Sequence, residues 1–213
     1  MTSPYEGLRA ALAAAPVIAI LRSASATRFG EVADCLLASG VRAVEFTLTT
    51  PGVLDVLREY AADAPPGLAL GAGTVTSPAA AQAAVEAGAT YLITPATCVD
   101  VIAEAVRLDV PVLSGAYTPT EILTAWRAGA TMVKLFPAAT GGPEYLKAVR
   151  APLPGIPLVP TGGISAADAP AYLAAGATAL GVGGPLVGDA CEGGSLTALA
   201  DRASAFLDGI RDR

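Results

Sequence analysis

Short apolar runs between turn-forming residues recur along the chain and predict buried strands. In four places a small residue and a glycine precede such a run, with the glycines at positions 40, 88, 129 and 176. Runs of this length between turn signals are typical of parallel strands covered on both faces. The eight predicted strands are Val17–Leu21, Ala43–Thr47, Leu68–Ala72, Tyr91–Thr94, Val110–Ser114, Met132–Phe136, Ile156–Thr161 and Ala179–Gly183.

The segments between these strands carry helical patterns. Apolar positions between Phe29 and Leu37 follow the spacing of one helix face. Ser77-Pro78 and Thr118-Pro119 each place a capping residue before a proline at the first helical position. Glu121 three residues after Thr118, and Asp168 three after Ser165, resemble capping boxes. The four glycines are expected to end helices.

Strands and helices therefore alternate in units of about 20–25 residues, which suffices for a parallel crossover. Eight such units predict an α/β protein with the (β/α)8 (TIM) barrel fold. A length of 213 residues suits one barrel, so we expect a single domain over residues 1–213. Residues 4–15 are expected to form a short helix that covers the lower face of the barrel.

Composition and charge narrow the class of protein. A net charge of −6 without a basic cluster argues against a nucleic-acid partner. The chain has no histidine, which excludes Ser-His triads and His-rich zinc sites. No motif for a cofactor stands out, and none is expected. The three cysteines, Cys35, Cys98 and Cys191, form neither a CxxC pair nor a disulfide framework. We interpret them as buried thiols in a reducing cytoplasm.

Two apolar stretches have to be compared with a signal peptide and with a membrane-spanning helix. Residues 10–21 followed by Ala24-Ser25-Ala26 have some features of a signal peptide, but Pro16 interrupts the run and Arg22 follows it directly. Cleavage there would also remove the first predicted strand. Residues 169–188 carry no charge but contain five glycines and two prolines, which is typical of helix, turn and strand. No membrane partner is expected.

Two charged residues lie inside predicted barrel strands. Lys134 is flanked by apolar residues in TMVKLFP, whereas the other lysine, Lys147, lies in a helical pattern. Desolvation favours the neutral amine, which attacks carbonyl groups; the alternative is a lysine paired with a carboxylate. Glu45 in AVEFTL is either the ion-pair mate of Lys134 or Arg22, or a general base whose pKa is raised by apolar neighbours. Together they support imine chemistry on a 2-keto acid.

Glycine-rich loops follow the last two strands, in PTGGIS and GVGGPL. In many barrels these loops bind phosphate through backbone N–H groups, although both could be simple tight turns. Arg22, at the end of the first strand, could bind a carboxylate or phosphate or form a rim salt bridge. Thr74 after the third strand could donate to a substrate, or be an ordinary loop threonine.

Five motifs in order, VEFTL, GAGTV, TPA, KLFPA and PTGGIS, resemble the 2-keto-3-deoxy-6-phosphogluconate aldolases, also called 4-hydroxy-2-oxoglutarate aldolases. The resemblance runs from Val17 to Val187. It implies a metal-free homotrimeric lyase of the Entner–Doudoroff pathway that releases pyruvate and glyceraldehyde 3-phosphate. The residue roles it implies are the Schiff base on Lys134, proton transfer by Glu45, a pyruvate pocket that includes Thr74 and Pro95, and packing of Phe136 beside the lysine. It also implies a phosphate loop at Thr161, Gly162 and Gly163, and the turn at Gly183 and Gly184 after the last strand is the second expected phosphate contact.

Two positions depart from the family pattern. Thr49 stands where the best-known members have an arginine, and we infer that Arg22 replaces it. Gly184 stands where a serine usually offers its hydroxyl to phosphate, so an aldolase for 4-hydroxy-2-oxoglutarate or for an unphosphorylated sugar acid is the alternative. Other classes considered are a phosphate-binding isomerase or synthase and a barrel that binds a phosphorylated ligand without catalysis, but neither needs both Lys134 and Glu45.

Overall fold

The computed structural model describes residues 4–211, in which parallel strands alternate with helices as predicted. The strands are β1 (Val17–Leu21), β2 (Ala43–Thr47), β3 (Ala69–Gly73), β4 (Tyr91–Ile93), β5 (Val112–Ala116), β6 (Met132–Leu135), β7 (Leu158–Pro160) and β8 (Leu180–Val182). The helices are α1 (Pro4–Ala14), α2 (Phe29–Ala38), α3 (Val53–Ala62), α4 (Pro78–Glu86), α5 (Val99–Arg107), α6 (Pro119–Arg127), α7 (Gly142–Arg150), α8 (Ala169–Ala174), α9 (Gly184–Val187) and α10 (Leu196–Arg211).

The strands form a nearly closed barrel. They pair in parallel in the order β7-β6-β5-β4-β3-β2-β1-β8. Between β7 and β8 the circle is completed by a single bridge that joins Thr161 to Gly181. The predicted (β/α)8 barrel is confirmed, and the carboxyl ends of all eight strands meet at one face.

The capping residues and helix-ending glycines predicted from the sequence act as expected at most helix ends. Ser77 Oγ accepts a hydrogen bond from the Ala80 amide, and Thr118 and Glu121 form a complete capping box. The glycines at 40, 88, 129 and 176 have φ between 96° and 105°, so each ends its helix in a conformation that side chains rarely adopt.

The Ser165–Asp168 prediction is wrong in detail. Ser165 Oγ donates to the Asp168 carboxylate and accepts from the Asp168 amide. The helix α8, however, begins only at Ala169, after this bonded turn. The pair therefore closes the turn before the helix and caps no helical amide.

Strand ends differ from the prediction where buried loop residues extend an apolar run. The fifth strand spans Val112–Ala116 rather than the predicted Val110–Ser114. The Val110 amide still bonds back to the Ala105 carbonyl and Asp109 has φ 55°, so these residues complete the end of α5. The seventh strand is likewise shorter than Ile156–Thr161. Burial alone does not distinguish a strand from the tight connection that precedes it.

The helix α1 covers the lower face of the barrel, as expected. Leu8, Ala11 and Leu12 pack in one cluster with inward-facing strand residues such as Ile18 and Met132. Burying a leucine side chain contributes about 1.5–3 kcal/mol, so this helix stabilises the floor of the barrel. The opposite face, at the carboxyl ends of the strands, stays open.

The expectation of three buried thiols holds only for Cys191. Cys35 and Cys98 are half-buried, and all three are free. Cys35 lies on α2 and donates to the Leu196 carbonyl, while Cys98 precedes the first residue of α5. Both positions lie in the layer of helices around the barrel, and part of each side chain stays exposed.

Candidate active site

A cavity of about 480 Å³ opens at the carboxyl ends of the strands. All eleven residues singled out from the sequence line it, together with Ile20, which the sequence analysis missed. Ile20 lies two residues before Arg22, so the strand period of two places both on the inner face. The lining residues are Ile20, Arg22, Glu45, Thr74, Pro95, Lys134, Phe136, Thr161, Gly162, Gly163, Gly183 and Gly184.

Lys134 is enclosed by the barrel, whereas Lys147 is exposed on α7. The Lys134 side chain is 7% exposed, and its Nζ lies 5.2 Å from the centroid of the Phe136 ring. An ammonium group at this distance from an aromatic face is attracted to it, which holds the amine toward the cavity. Lys134 is thus the lysine that a ligand in the cavity meets.

The backbone beside Lys134 is shaped by a glycine. Gly115 of β5 is the register partner of Lys134. A Cβ at Gly115 would collide with the Pro95 carbonyl group, so only glycine lets the loop after β4 approach. Thr94 fastens the same loop, since its Oγ1 accepts from the Gly115 amide and donates to the Ala96 carbonyl. Pro95 thereby reaches the cavity next to the amine.

Glu45 is buried in β2, with 1% of its surface exposed. Desolvation raises the pKa of its carboxyl group, and the nearby positive charges of Lys134 and Arg22 partly oppose that rise. None of the ion pairs among residues 4–211 joins Glu45 to either cation. Its Oε2 atom is buried without a hydrogen-bond partner. This is the environment of a proton acceptor rather than of a directly paired carboxylate.

Gly73 explains part of the GAGTV motif that sequence reasoning left unused. A Cβ at Gly73 would overlap the Glu45 carboxylate, which lies against the β3 backbone at this point. The next residue, Thr74, has φ 58°, a strained conformation for a β-branched side chain. Its Oγ1 accepts a hydrogen bond of 3.1 Å from Nη2 of Arg22. The motif therefore makes room for Glu45 and presents a hydroxyl beside a guanidinium group.

The opposite side of the cavity is formed by the glycine-rich loops. Gly162 and Gly163 have φ of 93° and 73°, and a Cβ on either would meet Phe136 or Ala139. The Ala139 amide donates to the Gly162 carbonyl, which joins this loop to the one after β6. Gly184 is exposed, and its Cβ position is open space.

Thr49 does not line this cavity. It is exposed and borders a separate depression with residues of α3. Among the arginines between residues 4 and 211, Arg22 is the one that lines the cavity.

Over residues 4–211, no three or more Cys, Asp or Glu side chains gather as metal ligands would. In the same range, no helix is both long enough and apolar enough to cross a membrane.

Comparisons with known proteins point to one family. A family model for KDPG and KHG aldolase matches residues 8–198. A 2-dehydro-3-deoxy-phosphogluconate aldolase of Pseudomonas aeruginosa is 41% identical over 160 residues, which cover 75% of this chain and 71% of the relative. The KHG/KDPG aldolase of Escherichia coli K12 is 32% identical over 94% of both chains.

Among solved structures, a KDPG aldolase from Legionella pneumophila superposes with a TM-score of 0.84 at 26% identity, covering 97% of this chain and 98% of that one. In that structure pyruvate is captured as a covalent carbinolamine intermediate. The family match over most of the chain and the fold shared with this aldolase lead to one conclusion: the chain belongs to the KDPG and KHG aldolase family of aldehyde-lyases.

Proposed function

We propose that this protein is a class I aldolase that cleaves 2-keto-3-deoxy-6-phosphogluconate (KDPG) to pyruvate and glyceraldehyde 3-phosphate. The observation that carries the proposal is one cavity in which an enclosed amine, Lys134, faces an unpaired buried carboxylate, Glu45. Neither group forms the direct ion pair that a purely structural pair would form.

The chemistry follows from these two groups. After the Lys134 ammonium group gives up a proton to solvent, the amine adds to the C2 carbonyl of the substrate, and loss of water from the carbinolamine gives a protonated imine. Glu45, directly or through a water, accepts the proton of the C4 hydroxyl as the C3–C4 bond breaks. The bonding electrons move into the imine to give an enamine. Proton return to C3 and hydrolysis release pyruvate and the free lysine. The carbinolamine in the Legionella relative supports this route.

The remaining side chains suit the two ends of such a substrate. Arg22 and Thr74 present donors for the carboxylate next to C2, while Pro95 and Phe136 flank the imine carbon. The phosphate would bind at the far side of the cavity. There the backbone N–H groups of the loops that contain Thr161, Gly162, Gly163, Gly183 and Gly184 provide donors.

Gly184 favours a second candidate substrate. Without a side-chain hydroxyl at this exposed position, the phosphate loses one donor that relatives with serine offer. The alternative is an aldolase for 4-hydroxy-2-oxoglutarate or for an unphosphorylated 2-keto-3-deoxy acid. Pyruvate release from a panel of these acids, with and without phosphate, distinguishes the substrates.

The imine is tested by trapping. The protein is incubated with pyruvate and borohydride, digested, and the adduct is mapped by mass spectrometry. We expect the adduct on Lys134 and its loss in Lys134→Ala, with normal trapping in the matched control Lys147→Ala. An adduct on Lys147, or none, contradicts the mechanism.

The role of Glu45 is tested separately. Glu45→Gln should still trap pyruvate but exchange the pyruvate methyl protons about 10²–10⁴-fold more slowly, the usual contribution of a positioned acid–base group. Near-normal exchange would leave Glu45 without a role in proton transfer.

We also propose a homotrimer in the cytoplasm, acting on a small phosphorylated 2-keto acid without metal or cofactor. The trimer rests on family membership, and the compartment on the three free thiols. Light scattering at micromolar concentration measures the first, and a monomeric mass would contradict it.

A further inference from the structure

Tyr91 lies in the interior of the barrel directly below the candidate site. It is fully buried, and its ring fills the space that Gly71 leaves on the neighbouring strand β3, where a Cβ would overlap the ring. In the strand register, Glu45 pairs with Gly71 and Gly71 pairs with Tyr91. The ring therefore extends across a missing side chain toward the strand that carries Glu45.

The Tyr91 hydroxyl already has a hydrogen-bond acceptor. It donates a hydrogen bond of 2.6 Å to the Val44 carbonyl, the residue just before Glu45. The Glu45 carboxylate lies one inward position further along, over Gly73, and its Oε2 has no partner. Burial raises the pKa of Tyr91 well above its usual value, and the charge of Glu45 adds to the rise, which reflects how near the two groups lie.

We propose that Tyr91 is the positioning residue of Glu45: its ring closes the floor beneath the carboxylate, while its hydroxyl donates to the Val44 carbonyl and not to Glu45. With water excluded from below and no hydrogen donated by the phenol, the carboxylate is held over Gly73 with its unpaired oxygen available to a substrate proton. This inference rests on the proposed role of Glu45 in proton transfer.

The arrangement predicts a pH effect. The titratable groups that face Glu45 are Lys134 from β6, Arg22 after β1 and Tyr91 from β4. Of these, Tyr91 is uncharged at neutral pH and acts by occupying space. A smaller side chain would admit water beneath the carboxylate and stabilise its charged form, which lowers the pKa of Glu45. A base of lower pKa is also a weaker proton acceptor.

The test measures exchange of the pyruvate methyl protons with deuterated water by NMR, as a function of pH. In Tyr91→Leu, we expect the rising limb of the exchange rate to move to lower pH and its plateau to fall by about tenfold, part of the contribution of a general base. Tyr91→Phe keeps the ring and should keep the limb at the wild-type pH. Leu113→Ala, a fully buried interior residue on β5, is the matched control for simple loss of packing. In this control the rising limb of the exchange rate should stay at the wild-type pH.

Borohydride trapping and Glu45→Gln are run in parallel. If Glu45→Gln exchanges normally, the proposed function of Glu45 fails, and this inference with it. If Glu45→Gln abolishes exchange but Tyr91→Leu keeps the wild-type limb, only the positioning role is overturned. An equal shift in Tyr91→Phe and Tyr91→Leu also overturns it, because the hydroxyl and not the ring would then be responsible. If Tyr91→Leu does not fold, Tyr91→Met is measured against the same expectations.

Discussion

Arg22 Nη2 donates a hydrogen bond of 3.1 Å to Thr74 Oγ1, which joins the end of β1 to the end of β3 across β2, the strand of Glu45. A guanidinium group has five N–H donors, so most of them stay available to a ligand. The same cation opposes the rise in the pKa of Glu45. One residue thus positions a hydroxyl and affects the proton affinity of the carboxylate.

Arg22→Met should therefore raise KM for 2-keto acid substrates, because the substrate carboxylate loses a hydrogen-bond donor. Loss of a hydrogen bond to a charged group is worth about 1.5–3 kcal/mol, or roughly 10–150-fold in binding. Steady-state kinetics measure the change. The matched control is Thr49→Ala, which alters an exposed threonine outside the cavity and should leave KM unchanged. A larger effect from Thr49→Ala than from Arg22→Met would contradict the assignment of Arg22.

Gly73→Ala should separate imine formation from proton transfer. The added methyl group collides with the Glu45 carboxylate and must displace it, while Lys134 on β6 is not adjacent to β3. We expect normal borohydride trapping but proton exchange slowed by about tenfold or more. Gly155→Ala, where the Cβ position is open, controls for the substitution itself. Unchanged exchange in folded Gly73→Ala would show that the carboxylate needs no such room.

Gly184→Ser should strengthen the preference for a phosphorylated substrate. The site is exposed and has room for the side chain, and one hydroxyl donating to phosphate adds about 1.5–3 kcal/mol. The ratio of kcat/KM for KDPG to that for its unphosphorylated form should rise, mainly through KM. Equal efficiency on the two substrates in the natural protein would reject a working phosphate site.

The raised pKa of Glu45 predicts how stability depends on pH. Between the unfolded and the folded pKa the native carboxyl group binds more protons, so its contribution to stability is lost as pH rises through the folded value. Glutamine does not titrate, so Glu45→Gln does not lose this contribution to stability as pH rises. Its free energy of unfolding relative to wild type should therefore increase between about pH 5 and about pH 8. Urea unfolding at both values measures this, and a difference that shrinks with pH would contradict it.

The alternation of apolar runs with helical patterns was enough to predict the barrel. Parallel strands buried on both faces need continuous apolar residues, and eight such runs with helices between them have few other arrangements. The same pattern located Lys134 and Glu45, because a charge inside an apolar strand departs from it. The loops before β5 and β7 were placed less well, since buried connections carry the same apolar residues as the strands that follow them.

Only the tertiary structure decided how these residues meet. Sequence patterns gave no means of choosing between a direct Lys134–Glu45 ion pair and a separated pair, because that choice depends on where two strands on different sides of the barrel direct their side chains. The sequence also gives no sign that Gly71 leaves space for the Tyr91 ring and Gly73 for the Glu45 carboxylate. A glycine is required at each place by a neighbour on another strand, and register and closure of the barrel determine that neighbour.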